Sequence, residues 1–136
     1  MPALPAVVPT DMLDLFEEPA LGHVAYRATD GRLAIWPMWV SWDGAHLLTS
    51  SPVDSRKGQA LRVPGAEVAV SILSTRSPWR WISITGRVVD VRPDEGLAFI
   101  DSQARRYIGS DYPDRGQVRE VFTILPDRVT TPRARG

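Results

Sequence analysis

The sequence predicts a mainly β protein, a six-stranded β-barrel with flanking short helices, and three observations carry that expectation. Short apolar segments rich in β-branched and aromatic residues recur along the chain, tight Asp-Gly or Pro-containing turns separate them, and helical spacing is confined to a few short stretches. A single domain spanning residues 1–136 is expected. Domains commonly run to about 100–150 residues, and a chain of that length can bury a core.

The elements follow in order. Thr10 before "DMLDLFEE" reads as the N-cap of a short helix, with Met12, Leu13, Leu15 and Phe16 as its apolar stripe and Pro19 as its stop. "LGHVAYRA" (Leu21–Ala28), "TDG" and "RLAIWPMWVSW" (Arg32–Trp42) read as a strand, a tight turn and a second strand. A second Asp-Gly pair, Asp43 and Gly44, leads into "AHLLTS" (Ala45–Ser50), so these three strands form an antiparallel meander. A short helix follows within "SSPVDSRKGQAL" (Ser50–Leu61), and "AEVAVSILS" (Ala66–Ser74) favours a strand.

"TRSP" connects to "WRWISITGRVVDVR" (Trp79–Arg92), with Gly86 a bulge or a point of close approach. Before that glycine, Trp79, Trp81, Ser83 and Thr85 share one face and Arg80, Ile82 and Ile84 the other, so both faces carry bulk, as in a strand covered on both sides. Pro93, Asp94 and Glu95 start a helix running to about Ile108, on which Leu97, Ile100, Ala104, Tyr107 and Ile108 keep helical spacing and Gly109 is the stop. "GSDYPDRG" is a loop, and "QVREVFTILPDRV" is the last strand, whose Pro126 belongs at an edge or bend. The tail "TPRARG" is expected to be disordered.

The formal charge is zero and no basic block or acidic tail is present, so nothing favours bulk attraction to nucleic acid or anionic membrane. The absence of cysteine removes disulfides, thiolate nucleophiles and cysteine metal sites together. "MPALPAVVPTDML" lacks the basic start and continuous apolar run of a signal peptide, and no segment approaches the ~20 apolar residues of a membrane helix. A cytoplasmic protein with no nucleic-acid or membrane partner is the expectation. His23 and His46 stand in separate strands without metal-ligand spacing and are read as structural, so no metal site is expected, and no nucleophile-elbow motif is present. Trp36 and Trp42 are read as core, Trp79 and Trp81 as interface, and Asp101, Arg105 and Arg106 as a solvated helix face.

The one lysine of the chain, Lys57, follows Arg56 in the first turn of the short helix. That turn already carries unpaired backbone N–H groups and about half a positive charge, and Asp54 offsets only part of the sum. A bound phosphate or carboxylate would reverse the penalty, because Ser50, Ser51, Ser55, Arg56 and Lys57 are all donors to such a group. The residues alone leave a second reading open, an exposed short helix whose charges face water.

"GHVAYRATDGRLAIWPMWVSWDGAHLLTSSPVDSRKGQAL", "PWRWISITGRVVDV", "RRYIGSDYP" and "VFTILPDRVT" together resemble the pyridoxamine 5′-phosphate oxidase-like split β-barrel superfamily. Within it they resemble branch B of the oxidoreductases that use the deazaflavin coenzyme F420, and the likeness runs from about Leu13 to Thr130. It implies a six-stranded split β-barrel and a homodimer with the cofactor in a groove at the subunit interface. The cofactor phosphate would be held by Ser50, Ser51, Ser55, Arg56 and Lys57, and the tricyclic ring contacted by Met38, Trp39 and Val40. Trp79, Arg80 and Trp81 would approach from the partner subunit. Many relatives carry a pattern like "K.RNLRRDPR" after the lysine, whereas "KGQALRVPGA" has Gln59 where a second arginine is usual, and Gly58 costs a helix about 1 kcal/mol relative to alanine.

The implied activity is hydride transfer between reduced F420 and an unsaturated organic small molecule, with no catalytic side chain required because the cofactor does the redox chemistry. FMN is the alternative cofactor, in an oxidase or reductase of the pyridoxamine-phosphate-oxidase type. A non-catalytic carrier of a flavin, deazaflavin or tetrapyrrole is the third possibility.

Overall fold

Seven strands build one antiparallel sheet: β1 (Gly22–Arg27), β2 (Leu33–Met38), β3 (Ser41–Trp42), β4 (Leu47–Pro52), β5 (Glu67–Leu73), β6 (Trp81–Pro93) and β7 (Arg119–Thr130). Two α-helices, α1 (Arg56–Leu61) and α2 (Ala98–Ile108), and 3₁₀ segments at Thr10–Phe16 and Glu95–Leu97 complete the computed structural model, which describes residues 6–132. Of the tail expected to be disordered, Thr131 and Pro132 have no regular structure, and the rest lies outside the described residues, as does the start of the N-terminal stretch.

The strand order is β2-β1-β5-β6-β7-β4-β3. β2 and β3 occupy opposite ends of that order, yet only Trp39 and Val40 separate them in the chain. The expected strand Arg32–Trp42 is thus broken at a corner: its first part pairs with β1, from Gly22↔Met38 to Arg27↔Leu33, and its last part pairs with β4, Ser41↔Leu48 and Trp42↔Leu47. The corner ties the two edges of the sheet together and curls it into a split barrel. It also accounts for seven strands where the sequence pattern counts six.

Both Asp-Gly turns form, with Gly31 and Gly44 at positive φ. Strand alternation then sends Val24, Val70, Ile72, Ile82, Ile84, Phe122 and Ile124 into one core, to which the 3₁₀ segment adds Met12, Leu15 and Phe16 and α1 adds Ala60 and Leu61. Leu15 and Leu61 are fully buried, each such side chain being worth about 1.5–3 kcal/mol. Gly86 sits at a register shift on β6, where a Cβ would lie 2.3 Å from the Leu125 carbonyl oxygen. Pro126 pairs with Gly86 beyond the end of the β4–β7 ladder, so its missing N–H leaves no gap there.

Several expectations are corrected. Thr10 is not an N-cap: the segment is 3₁₀, Pro9 precedes it, and no side chain caps it. The second helix starts later than Pro93, because Gly96 and Leu97 take left-handed φ values of 62° and 60°. The Asp94 carboxylate instead reaches past them to accept from the Phe99 and Ile100 N–H groups at 2.8 and 2.9 Å. Trp79 and Arg80 precede β6, in a turn closed by Arg80 N–H to Ser77 O, and Trp79 is exposed. Of the β6 faces, Ile82 and Ile84 are buried while Trp81, Ser83 and Thr85 are half-covered. Trp36 is half exposed on β2 and outside the core, whereas Trp42 stacks on Phe16 at 6.1 Å.

Candidate functional site

Where β2 parts from β4, a cavity of about 390 Å³ opens in the split. Pro37, Met38 and Trp39 line it from β2 and the corner, Ser50 and Pro52 from β4, Lys57 from α1, Ile100 and Gln103 from α2, and Arg119 from β7. Period-two alternation explains which serine takes part. Ser50 stands on the face of β4 that looks to α2, while its neighbour Ser51 faces the other side and exchanges a 2.6 Å hydrogen bond with Ser55. The Ser55 hydroxyl also donates to Pro52 O and accepts from the Gly58 N–H at 3.0 Å, so it is the N-cap of α1.

Among the described residues, neither of the cavity's cations forms an ion pair. Arg119 is buried, its Nε and Nη2 donate to Ser50 Oγ at 3.0 and 2.9 Å, and its Nη1 donates to Gln117 Oε1. These bonds take only part of a guanidinium's donor capacity, and among the described residues no carboxylate forms an ion pair with it. The Lys57 ammonium forms no ion pair there either. Burial, and then the charge of Arg119, holds Lys57 below the ordinary lysine value. Burial likewise depresses Arg119, against the weaker opposing influence of Tyr112 and Asp94. Two mutually repelling, partly desolvated cations stand beside the free hydroxyl hydrogen of Ser50, an arrangement able to hold a compact anion.

Besides Gln103 and Gln117, the rest of the lining is aromatic and apolar. Trp39 stacks on Tyr107 of α2 at 5.2 Å and meets Tyr112 edge-on at 5.9 Å. Tyr107 fixes the corner itself, since its hydroxyl donates to Ala20 O at 2.6 Å and accepts from the Val40 N–H at 3.2 Å. Thr49 Oγ1 donates to Trp39 O at 2.9 Å and Arg106 donates to Val40 O.

The structure therefore brings Met38, Trp39, Ser50 and Lys57 together in one cavity. Val40 lies in the core, Ser51 and Ser55 are engaged with each other and with α1, and Arg56 is exposed. Arg80 is held by the Asp14 carboxylate and the Asp11 carbonyl, and Trp79 and Trp81 stand outside the cavity lining with it. Arg119, Tyr112, Gln103 and Gln117 escaped the sequence reading. The available signal was Arg119 in phase with the buried Val121 on β7. The supposed solvated face of α2 also needs correction: Asp101 is buried and binds Arg115 through both oxygens, at 2.6 and 3.2 Å.

A split barrel closed at one corner, with a cavity in the gap, has the fold of the pyridoxamine 5′-phosphate oxidase-like split-barrel superfamily. No protein-family model matches the sequence, and no curated protein matches it. Solved structures do. An F420 reductase is 27% identical, with a TM-score of 0.77 over 90% of this chain and 98% of that one. A pyridoxamine 5′-phosphate oxidase-like protein of Listeria innocua is 22% identical, with a TM-score of 0.62 over 88% and 91%. Another from Lactobacillus delbrueckii is 14% identical, with a TM-score of 0.61 over 92% and 94%. No helix among the described residues is long and apolar enough to cross a membrane.

Proposed function

We propose that this chain is an oxidoreductase that holds the phosphate end of a deazaflavin or flavin in the cavity of the split, with coenzyme F420 as the leading candidate and FMN as the alternative. The observation that carries the reading is the pair Lys57 and Arg119, two cations without a carboxylate partner among the described residues that line one cavity walled by Trp39 and Tyr112. The 27% identity to an F420 reductase over nearly the whole chain supports the deazaflavin choice. When bound, such a cofactor supplies the hydride chemistry toward an unsaturated organic substrate.

The chain's own part is binding and orientation. Lys57, Arg119 and the Ser50 hydroxyl would anchor the phosphate, while Met38 and Trp39 would contact the ring. Trp39 is itself immobilised between Tyr107 and Tyr112, so the wall is preorganised. A volume of about 390 Å³ is at the lower end of small-molecule pockets. That size fits a cofactor whose remaining surface a second copy encloses, and Pro37 and Leu21 carry the cavity rim toward the exposed side chains of Leu33, Ile35 and Leu73. A homodimer over that face would bring its own Trp79, Arg80 and Trp81 into play.

Protein purified from a host without F420 should be titrated separately with FMN and with F420 while tryptophan fluorescence is followed. Quenching by F420 alone supports the deazaflavin reading, and a yellow FMN-loaded preparation supports the flavin. Binding without turnover of any quinone or enone acceptor makes the chain a carrier, and no binding of either cofactor rejects the proposal.

A further inference from the structure

The loop between α2 and β7 supplies an aromatic wall of the cavity, and its backbone first joins the β4 side at Val118, whose carbonyl accepts from the Val53 N–H at 2.9 Å. The stretch around Tyr112 is held chiefly from one carboxylate. The Asp101 carboxylate, buried on α2, accepts the Tyr112 N–H at 2.9 Å and both terminal nitrogens of Arg115. Arg115 Nη1 also donates to Tyr112 O at 3.1 Å, so both backbone groups of Tyr112 are fixed by one ion pair. A second pair, Arg105 with Asp111, is exposed and contributes little by comparison. Fixed in this way, the Tyr112 ring lies against the Arg119 guanidinium, 5.0 Å from its carbon to the ring centre, and edge-on to Trp39. Gln117, in the same loop, takes Arg119 Nη1.

We propose that Asp101 is a positioning residue for the cavity: through Arg115 and the Tyr112 N–H it holds the Tyr112 ring against Arg119, and so fixes where that guanidinium presents its free donors to a phosphate group. The inference rests on the anion-binding reading of the cavity. Three observations converge on it independently of that reading: a buried carboxylate that a solvent-facing helix position does not require, a Tyr112 stretch whose backbone makes no bond to the sheet, and an arginine whose flat face is covered by the residue the carboxylate holds. Asp101 touches no ligand in this scheme. Its effect on affinity is routed entirely through Arg119.

That routing defines the test. Affinity for inorganic phosphate, and for FMN, is measured by calorimetric titration on the cofactor-free full chain for the wild type, Asp101→Asn, Arg119→Ala and the double variant, with Arg115→Ala replacing Asp101→Asn should the latter fail to fold. The expected result is a loss of roughly tenfold for Asp101→Asn alone and no further loss when it is added to Arg119→Ala, the signature of residues acting as one unit. Phosphate affinity unchanged in Asp101→Asn, or losses that simply add, would overturn the positioning role while leaving the cavity's anion site standing. A wild-type chain that binds neither phosphate nor FMN nor F420 overturns the anion site first, and this inference with it.

Discussion

The Lys57 ammonium lies 5.0 Å from the centre of the Trp36 ring. An indole face worth about 0.5–1 kcal/mol is a weak companion for a charge, in contrast to a carboxylate. Trp36 is half exposed and comes from β2, so this contact also bridges the edge strand and α1 across the split. The lysine is held near the cavity with its charge uncompensated.

Replacing it tests the anchoring role. Lys57→Ala is expected to weaken cofactor binding by roughly 1.5–3 kcal/mol, the usual range for a charged hydrogen bond, with the far-UV dichroism unchanged. A dissociation constant equal to that of the wild type would remove Lys57 from the site.

The same lysine gives affinity and stability opposite pH dependences. Its folded pKa lies below the 10.5 of an unperturbed lysine, chiefly through burial. Below the folded pKa, folded and unfolded chains are both protonated and the burial penalty is felt in full. Between the two pKa values the unfolded chain binds more protons, so stability of the ligand-free protein rises with pH across that window. Anion affinity instead falls as pH rises through the folded pKa, because the ammonium is lost. Lys57→Met should abolish both trends relative to wild type in paired thermal melts and titrations.

Gly58 inverts a simple helix-propensity argument. Alanine would favour α1 by about 1 kcal/mol in isolation, but here a Cβ would lie 2.7 Å from Pro52 O and 2.9 Å from Ser55 Oγ. Gly58→Ala should therefore lower stability, by about 1–3 kcal/mol as overpacking does, in a urea unfolding curve. A more stable variant would show that the strand-to-helix turn yields easily.

Ile35 and Leu33 stand exposed on β2, on the face turned away from the core. If a second copy covers that face, Ile35→Asp should shift sedimentation at micromolar concentration from dimer to monomer, with cofactor affinity falling in parallel. A wild-type chain that sediments as a monomer would place the whole site in one subunit.

Much of this architecture was legible in the sequence because it is written in local signals. The Asp-Gly pairs, β-branched runs and Gly86 each specify their own geometry, and the strand alternation of Ile82 and Ile84 survives intact. The corner at Trp39 was not legible, since it is set by groups distant in the chain, namely the Tyr107 hydroxyl and the Thr49 side chain. For the same reason the lysine was found and its partner was not. Lys57 announces itself by composition, whereas Arg119 is one of many arginines and becomes distinctive only when Ser50, Gln117 and the Tyr112 ring close around it. Asp101 looked solvent-facing by helical phase because its partner Arg115 lies in an irregular loop.

The corner also decides where the molecule breathes. The Val40 amide rests on a phenol oxygen where a ladder carbonyl would ordinarily be, so its protection depends on one side chain swinging aside rather than on the opening of a strand pair. Amide hydrogen exchange should find Val40 labile and Phe122, paired on both flanks, among the slowest protons in the protein. An occupant in the split would slow the first and leave the second untouched, giving a readout of occupancy that needs no chromophore.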